Sequence, residues 1–185
     1  MQIKSDLRAE FRQKRARTEN KSEKDRLICT GFLSSRLYIN AEEILCYFST
    51  GSEIDTMQII NAVFKDGKRL YLPKCTDLNG NMDFYLVESL DTLITGSYGI
   101  TEPDPSLCSR AVCFHNAVCI VPALSFDRFG FRLGYGKGYY DRFLEKFTNI
   151  SVGLCYNELM SDKLPAESYD RPVDYIFTQS EIISL

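Results

Sequence analysis

Residues 124–142 read LSFDRFGFRLGYGKGYYDR, and this stretch holds the densest chemistry in the chain. Gly130, Gly134, Gly136 and Gly138 fall within nine positions, with Arg132 and Lys137 between them and Arg128 just before. Glycine admits positive φ and lets backbone N–H groups come close to an anion. Arginine adds a planar fork of donors and lysine a compact point charge. Together they suit phosphate oxygens, although the same glycines would also serve a solvated loop that merely turns. The spacing is neither the P-loop G-x-x-x-x-G-K-[ST] nor the dinucleotide fingerprint G-x-G-x-x-G. Asp141 follows within the first turn of an expected helix. A carboxylate there suits the positive end of the helix and can equally hold Mg²⁺ against phosphate oxygens. Asp174, in RPVDYIFT, is a second carboxylate, which alone reads as a solvated strand-end residue.

The elements that must position these residues alternate along the chain. Ile3, Leu7 and Phe11 recur at four-residue spacing and predict an amphipathic helix over 2–18, with Lys4, Arg8 and Arg12 forming a second stripe beside them. Ser22, followed by Glu23 and Asp25, is expected to cap a second helix running to about Leu37. Glu43–Phe48 is a nearly continuous apolar run, as in a strand buried on both faces. Asp55 is expected to open a helix through Phe64 that stops at Asp66-Gly67. Strands are expected at Arg69–Pro73, Met82–Val87, Ala117–Val121, Ser151–Cys155 and Tyr175–Thr178, with a helix over Tyr139–Phe147. Such alternation predicts an α/β fold: a three-layer αβα domain with a mainly parallel, mixed sheet, Rossmann-like, spanning 1–185. Ligands in such folds collect beyond the carboxyl ends of the strands. That rule selects Ser49–Asp55, Pro73–Cys75 and Pro122–Asp141.

Composition narrows the function further. With 185 residues, 44% hydrophobic and 25% charged, the chain is long enough for a real core and ordinary for a globular protein. A net charge of −3 gives no support to general nucleic-acid binding. Residues 1–40 nevertheless carry ten Lys/Arg against five Asp/Glu, a local basic surface suited to an anion. No apolar run approaches bilayer length, and the N-terminus has no signal-peptide pattern, so the expected setting is cytoplasmic. The seven cysteines include no C-x-x-C and several lie inside apolar runs, as expected of core residues in a reducing compartment. The single histidine, His115, reads as a boundary residue before a strand, and zinc ligation has no paired spacing to support it.

The segment FDRFGFRLGYGKGYYDRFL resembles the signature of the 5-formyltetrahydrofolate cyclo-ligase family, also called methenyltetrahydrofolate synthetases. Lys4-Ser5-Asp6-Leu7-Arg8 is similar to that family's N-terminal K-x-x-L-R. Tyr47–Thr56 resembles its substrate-side loop, and Tyr98-Gly99-Ile100 with Glu102-Pro103 its Y-G-I-x-E-P turn. Leu164-Pro165 and Asp170–Thr178 resemble its closing pattern. The resemblance implies ATP-dependent closure of 5-formyltetrahydrofolate to 5,10-methenyltetrahydrofolate, with Mg²⁺ as cofactor. By the same resemblance, Lys4, Ser5, Asp6, Leu7 and Arg8, with Arg132, Leu133, Gly134, Tyr135, Gly136, Lys137, Gly138, Tyr139 and Tyr140, contact ATP. Thr50, Asp55 and Tyr135 to Tyr139 contact the folate, Asp141 and Asp174 bind the metal, and Lys137 and Arg132 stabilise developing charge. Thr50 stands where other members carry apolar residues, and Asp55 is shorter than the glutamate of some. The implied partners are these small molecules, with no nucleic acid or membrane, in a monomer or weak homo-oligomer. Two rivals use the same features: a non-catalytic nucleotide- or folate-binding module, and an α/β enzyme acting on a sugar phosphate or acyl-CoA without ATP.

Overall fold

The computed structural model of the chain describes residues 2–77, 80–96 and 99–185, with side chains from Lys4 onward. Tyr98 of the expected Y-G-I turn and the side chain of Ile3 lie outside the described residues. A seven-stranded sheet forms the centre, built from β1 (Glu43–Leu45), β2 (Arg69–Cys75), β3 (Met82–Leu86), β6 (Ala117–Val121), β9 (Ile150–Leu154), β11 (Tyr175–Phe177) and β12 (Ile182–Ser184). Their order is β12-β11-β9-β6-β1-β2-β3. The five inner strands pair in parallel, while β3 and β12 close the two edges antiparallel. All five residues of β6 are buried, which explains the unbroken apolar run AVCIV at the middle of a sheet covered on both faces.

This order contains a reversal. The connection from β1 through α4 (Met57–Lys65) leads outward to β2. That from β6 through α5 (Tyr139–Leu144) leads the opposite way, to β9. Right-handed crossovers then set α4 and α5 on opposite faces, and the loops after β1 and β6 part to leave a crevice. Ile59, Ile60 and Val63 of α4 are fully buried, beside α2 (Lys21–Leu33). On the other face, the Phe143 ring of α5 packs 4.7 Å from that of Phe84 in β3, in a cluster with Phe114 and Phe147.

The structure shortens several expected elements. The second helix stops at Leu33 rather than Leu37, because Ser35 accepts the Tyr38 N–H and starts a separate helix, α3 (Arg36–Asn40). Ser22 lies inside α2, whose N-cap is Asn20 at φ 52° with no side-chain cap bond. The helix after the glycine loop ends at Leu144, three residues early, and β1 ends at Leu45. Pro73–Cys75 is strand rather than loop, paired with Phe84, Asp83 and Met82. Six short strands among the described residues carry no hydrophobic period to announce them. They are β12, the hairpin β4 (Leu93–Thr95) with β5 (Thr101–Pro103), and the hairpin β7 (Ser125–Asp127) with β8 (Arg132–Leu133), to which β10 (Met160–Ser161) adds a third strand.

Candidate active site

The glycine-rich stretch divides into two pieces with different work. Asp127 is fully buried, and its carboxylate accepts the N–H groups of Phe129, Phe131 and Leu164. It thereby clamps the β7–β8 turn. Gly130, at φ 85°, belongs to that turn, where an added Cβ would sit 2.7 Å from the Val173 carbonyl. The motif FDRFG is therefore architecture. The second piece, residues 134–138, crosses the crevice. Gly136 and Gly138 hold φ of 98° and 69°, conformations that oppose any side chain, and Gly136 also lies under Arg8, 3.1 Å from the Cζ atom to where its Cβ would be. None of the backbone N–H groups of Tyr135, Gly136, Lys137 or Gly138 donates to a protein group among the described residues. The Lys137 side chain, exposed between them, likewise has no partner there.

Helix α1 (Gln2–Ala16) lies against this loop. Arg8 Nε donates to the Gly134 carbonyl at 2.9 Å. Lys4 Nζ reaches Asp170 at 2.7 Å and Glu167 at 3.4 Å, while Ser5 and Asp6 are exposed. Burial opposes the charged Lys4, but its bonds to Asp170 and Glu167 prevail and raise its pKa. Arg12 is exposed, whereas Arg15 is 8% exposed and joins three segments. It donates to Ser52 Oγ at 3.0 Å and the Ala123 carbonyl at 3.1 Å, and its guanidinium stands 5.6 Å from the centre of the Tyr135 ring. The charge reading of the sequence passes over Arg15. Yet it lies four residues beyond Phe11, on the stripe of Leu7 and Phe11, and that spacing marks it as inward-facing.

Across the crevice, the Tyr135 hydroxyl donates to Glu53. The other Glu53 oxygen accepts the Thr50 N–H at 2.8 Å and the Thr50 hydroxyl at 3.2 Å. Glu53 thus ties the β1 loop to the glycine loop, a role no local pattern signals. Asp55 is exposed and precedes Thr56, the N-cap of α4, and its Oδ1 accepts the Met57 N–H at 2.9 Å.

Arg132 is the most enclosed cation of the motif, its side chain 5% exposed. One guanidinium nitrogen donates to Asp141 Oδ1 at 2.6 Å and another to the Arg171 carbonyl at 2.6 Å. Burial pulls its pKa below the ordinary arginine range, against the opposing pull of Asp141 and Asp170. Asp141 Oδ1 also accepts the Arg171 N–H at 3.2 Å, which leaves Oδ2 without a protein partner among the described residues. Asp174 sits at the start of β11, where its Oδ2 accepts both the N–H and the hydroxyl of Ser151 at 2.7 Å. The two aspartates are thus held by different partners, and no group of three or more His, Cys, Asp or Glu gathers for a metal among the described residues. A divalent cation held by one or two carboxylates plus phosphate oxygens and water needs no larger group, and the open Asp141 Oδ2 suits it. Leu133 is buried at 2% exposure, and Tyr140 packs on the core with its hydroxyl enclosed and unpartnered. Burial drives the Tyr140 pKa well up. The Tyr139 hydroxyl donates to the Asp77 carbonyl at 3.1 Å. A groove of about 790 Å³ follows α5 and β3, with Tyr139 and Arg142 among the residues that line it.

Comparison with known proteins gives this arrangement its family. The solution structure of the 5,10-methenyltetrahydrofolate synthetase of Aquifex aeolicus superposes with a TM-score of 0.83 at 31% identity, covering 98% of this chain and 92% of that one. The 5-formyltetrahydrofolate cyclo-ligase of Saccharomyces cerevisiae is 30% identical over 162 residues, 74% of this chain and 75% of its own. That of Escherichia coli K12 is 28% identical over 168 residues, 89% and 92% of the two chains. No helix among the described residues is long and apolar enough to cross a membrane. The profile of the 5-formyltetrahydrofolate cyclo-ligase family matches residues 1–179, and the chain belongs to that family of ATP-dependent ligases.

Proposed function

We propose that the chain closes 5-formyltetrahydrofolate to 5,10-methenyltetrahydrofolate through a phosphorylated formyl group, with ATP phosphates on residues 134–138 and the pterin beside Thr50 and Asp55. The observation that carries this reading is the row of amides from Tyr135 to Gly138 around Lys137, none with a protein partner among the described residues, in the loop that follows β6 at the sheet's reversal point. Amides that the fold leaves unsatisfied are already oriented to receive an anion.

The chemistry explains the nucleotide. The N5-formyl group is an amide, so its carbon is a poor electrophile and its oxygen cannot depart as hydroxide. Transfer of the γ-phosphoryl group to that oxygen breaks the bond to ADP and leaves an iminium phosphate. N10 then bonds to the formyl carbon, the carbon–oxygen bond breaks, phosphate leaves and N10 loses its proton. Such a transfer rests on alignment and charge neutralisation, with no covalent nucleophile from the protein. Lys137 supplies the mobile positive charge. Arg132, already engaged, acts by fixing Asp141 and the Arg171 backbone. Asp141 through Oδ2, with Asp174 as the second expected ligand, would hold Mg²⁺, which when bound neutralises phosphate charge. Seven unpaired cysteines fit a reducing, cytoplasmic setting.

The test is to mix the protein with 5-formyltetrahydrofolate, ATP and Mg²⁺ and follow the near-ultraviolet absorbance of the methenyl product. Product dependent on both ATP and Mg²⁺ is the expected result. Folded protein that binds ATP and yields no product would leave a nucleotide-binding module instead.

A further inference from the structure

Lys74 and Glu102 have been given no role above, yet they form a largely buried ion pair near the carboxyl end of β2. Glu102, in β5, is 3% exposed. Its Oε2 lies 3.3 Å from Lys74 Nζ, and its Oε1 accepts the Cys75 N–H at 3.3 Å. The hairpin is shaped around this carboxylate: Gly96 packs so closely on it that any side chain there would overlap it. Lys74 lies near the carboxyl end of β2, next to β1 in the sheet, whose own loop carries Thr50 and Asp55. Alternation along β2 sends Lys74 to the sheet face opposite Pro73 and Cys75, and Pro73 pairs with Phe84 on the α5 face. Lys74 therefore faces the α4 side. Its side chain is 19% exposed, and only one of its three N–H donors has a protein partner among the described residues.

Burying such a pair gives little net stability, because desolvation offsets the attraction. Its chemistry suits recognition instead. The pair is neutral as a unit, yet two of the ammonium N–H donors have no protein partner among the described residues, which favours an uncharged oxygen acceptor over phosphate or carboxylate. We propose that Lys74, fixed in place by Glu102, donates a hydrogen bond to the ring oxo group of the pterin, making it a specificity-determining residue for the folate. This rests on the reaction proposed above.

The experiment compares 5-formyltetrahydrofolate with its 4-amino-4-deoxy analogue, in which the oxo acceptor becomes a donor while N5 and N10 are unchanged. Product formation by the wild-type protein from the natural substrate is read first, so failure of the reaction assignment shows itself separately. A site built around that acceptor should prefer the oxo substrate by at least about 100-fold in kcat/KM. The paired substitution Lys74→Met with Glu102→Gln, which leaves no lone buried charge, should reduce the preference to below about 10-fold through KM for the folate, with KM for ATP unchanged. Lys74→Arg should keep most of it. Equal use of both substrates by the wild-type protein overturns the proposal, a readout that needs no variant to fold. An undiminished preference in the folded double variant overturns it equally.

Discussion

Arg132 and Lys137 carry the same formal charge five residues apart, and their surroundings predict opposite consequences of removal. Arg132→Ala would deprive Asp141 of its 2.6 Å partner and leave the Arg171 carbonyl without a donor. Breaking a buried pair costs about 3–5 kcal/mol, and because the Asp141 side chain is 21% exposed, water recovers part of that. A loss of about 3 kcal/mol remains, which in a chain of this length lowers Tm by about 6–12 °C. Lys137→Ala removes an exposed ammonium with no protein partner among the described residues and should hold Tm to within about 2 °C. Its effect should fall on turnover, by about 100-fold or more, the size seen when one donor to developing charge is lost. Calorimetry and the methenyl absorbance assay, run on both variants, separate the two effects. A Lys137→Ala protein with undiminished turnover would remove the central residue of the mechanism. An Arg132→Ala protein with unchanged Tm would show that the arginine is not the structural brace described here.

Two further predictions follow from the surroundings of single groups. Asp141→Asn should raise the Mg²⁺ concentration needed for half-maximal turnover, and Asp174→Asn should do so only if its carboxylate leaves Ser151. An unchanged Mg²⁺ dependence in the first would exclude Asp141 as a ligand. Burial pushes the thiols of Cys29 and Cys155 up to about 12 and those of Cys46 and Cys119 higher, so at about pH 8 they hold almost no thiolate. A thiol reagent should label exposed Cys113 first and half-buried Cys75 more slowly, with the other five reacting only on unfolding, as read by peptide mass spectrometry. The same raised values favour the protonated thiols in the fold. Their contribution is therefore complete below the ordinary thiol value of 9.0 and declines as pH rises above it toward the folded values.

What could be read from the sequence, and what could not, divides along physical lines. The run AVCIV coincides with β6 residue for residue, because a strand buried on both faces needs no alternation to be recognised. The Leu7–Phe11 spacing finds α1, and extended one step it would have found Arg15. By contrast, β4, β7, β8 and β10 are two or three residues long and exist only through their pairing partners, so no period of their own could reveal them. The glycine loop was legible for the same reason α1 was. Positive φ and free amides are properties of consecutive residues, and the chain spells them out in order. The Glu53–Tyr135 tie joins positions 82 apart and the Lys74–Glu102 pair positions 28 apart, both brought together only when the sheet reverses direction between β1 and β6 or the β4–β5 hairpin folds over β2. Backbone chemistry is local, whereas side-chain pairing is a product of topology. The glycine loop, Thr50 and Asp55 therefore belong to the readable class, whereas the Glu53–Tyr135 tie and the Lys74–Glu102 pairing emerge only once the strand order is known.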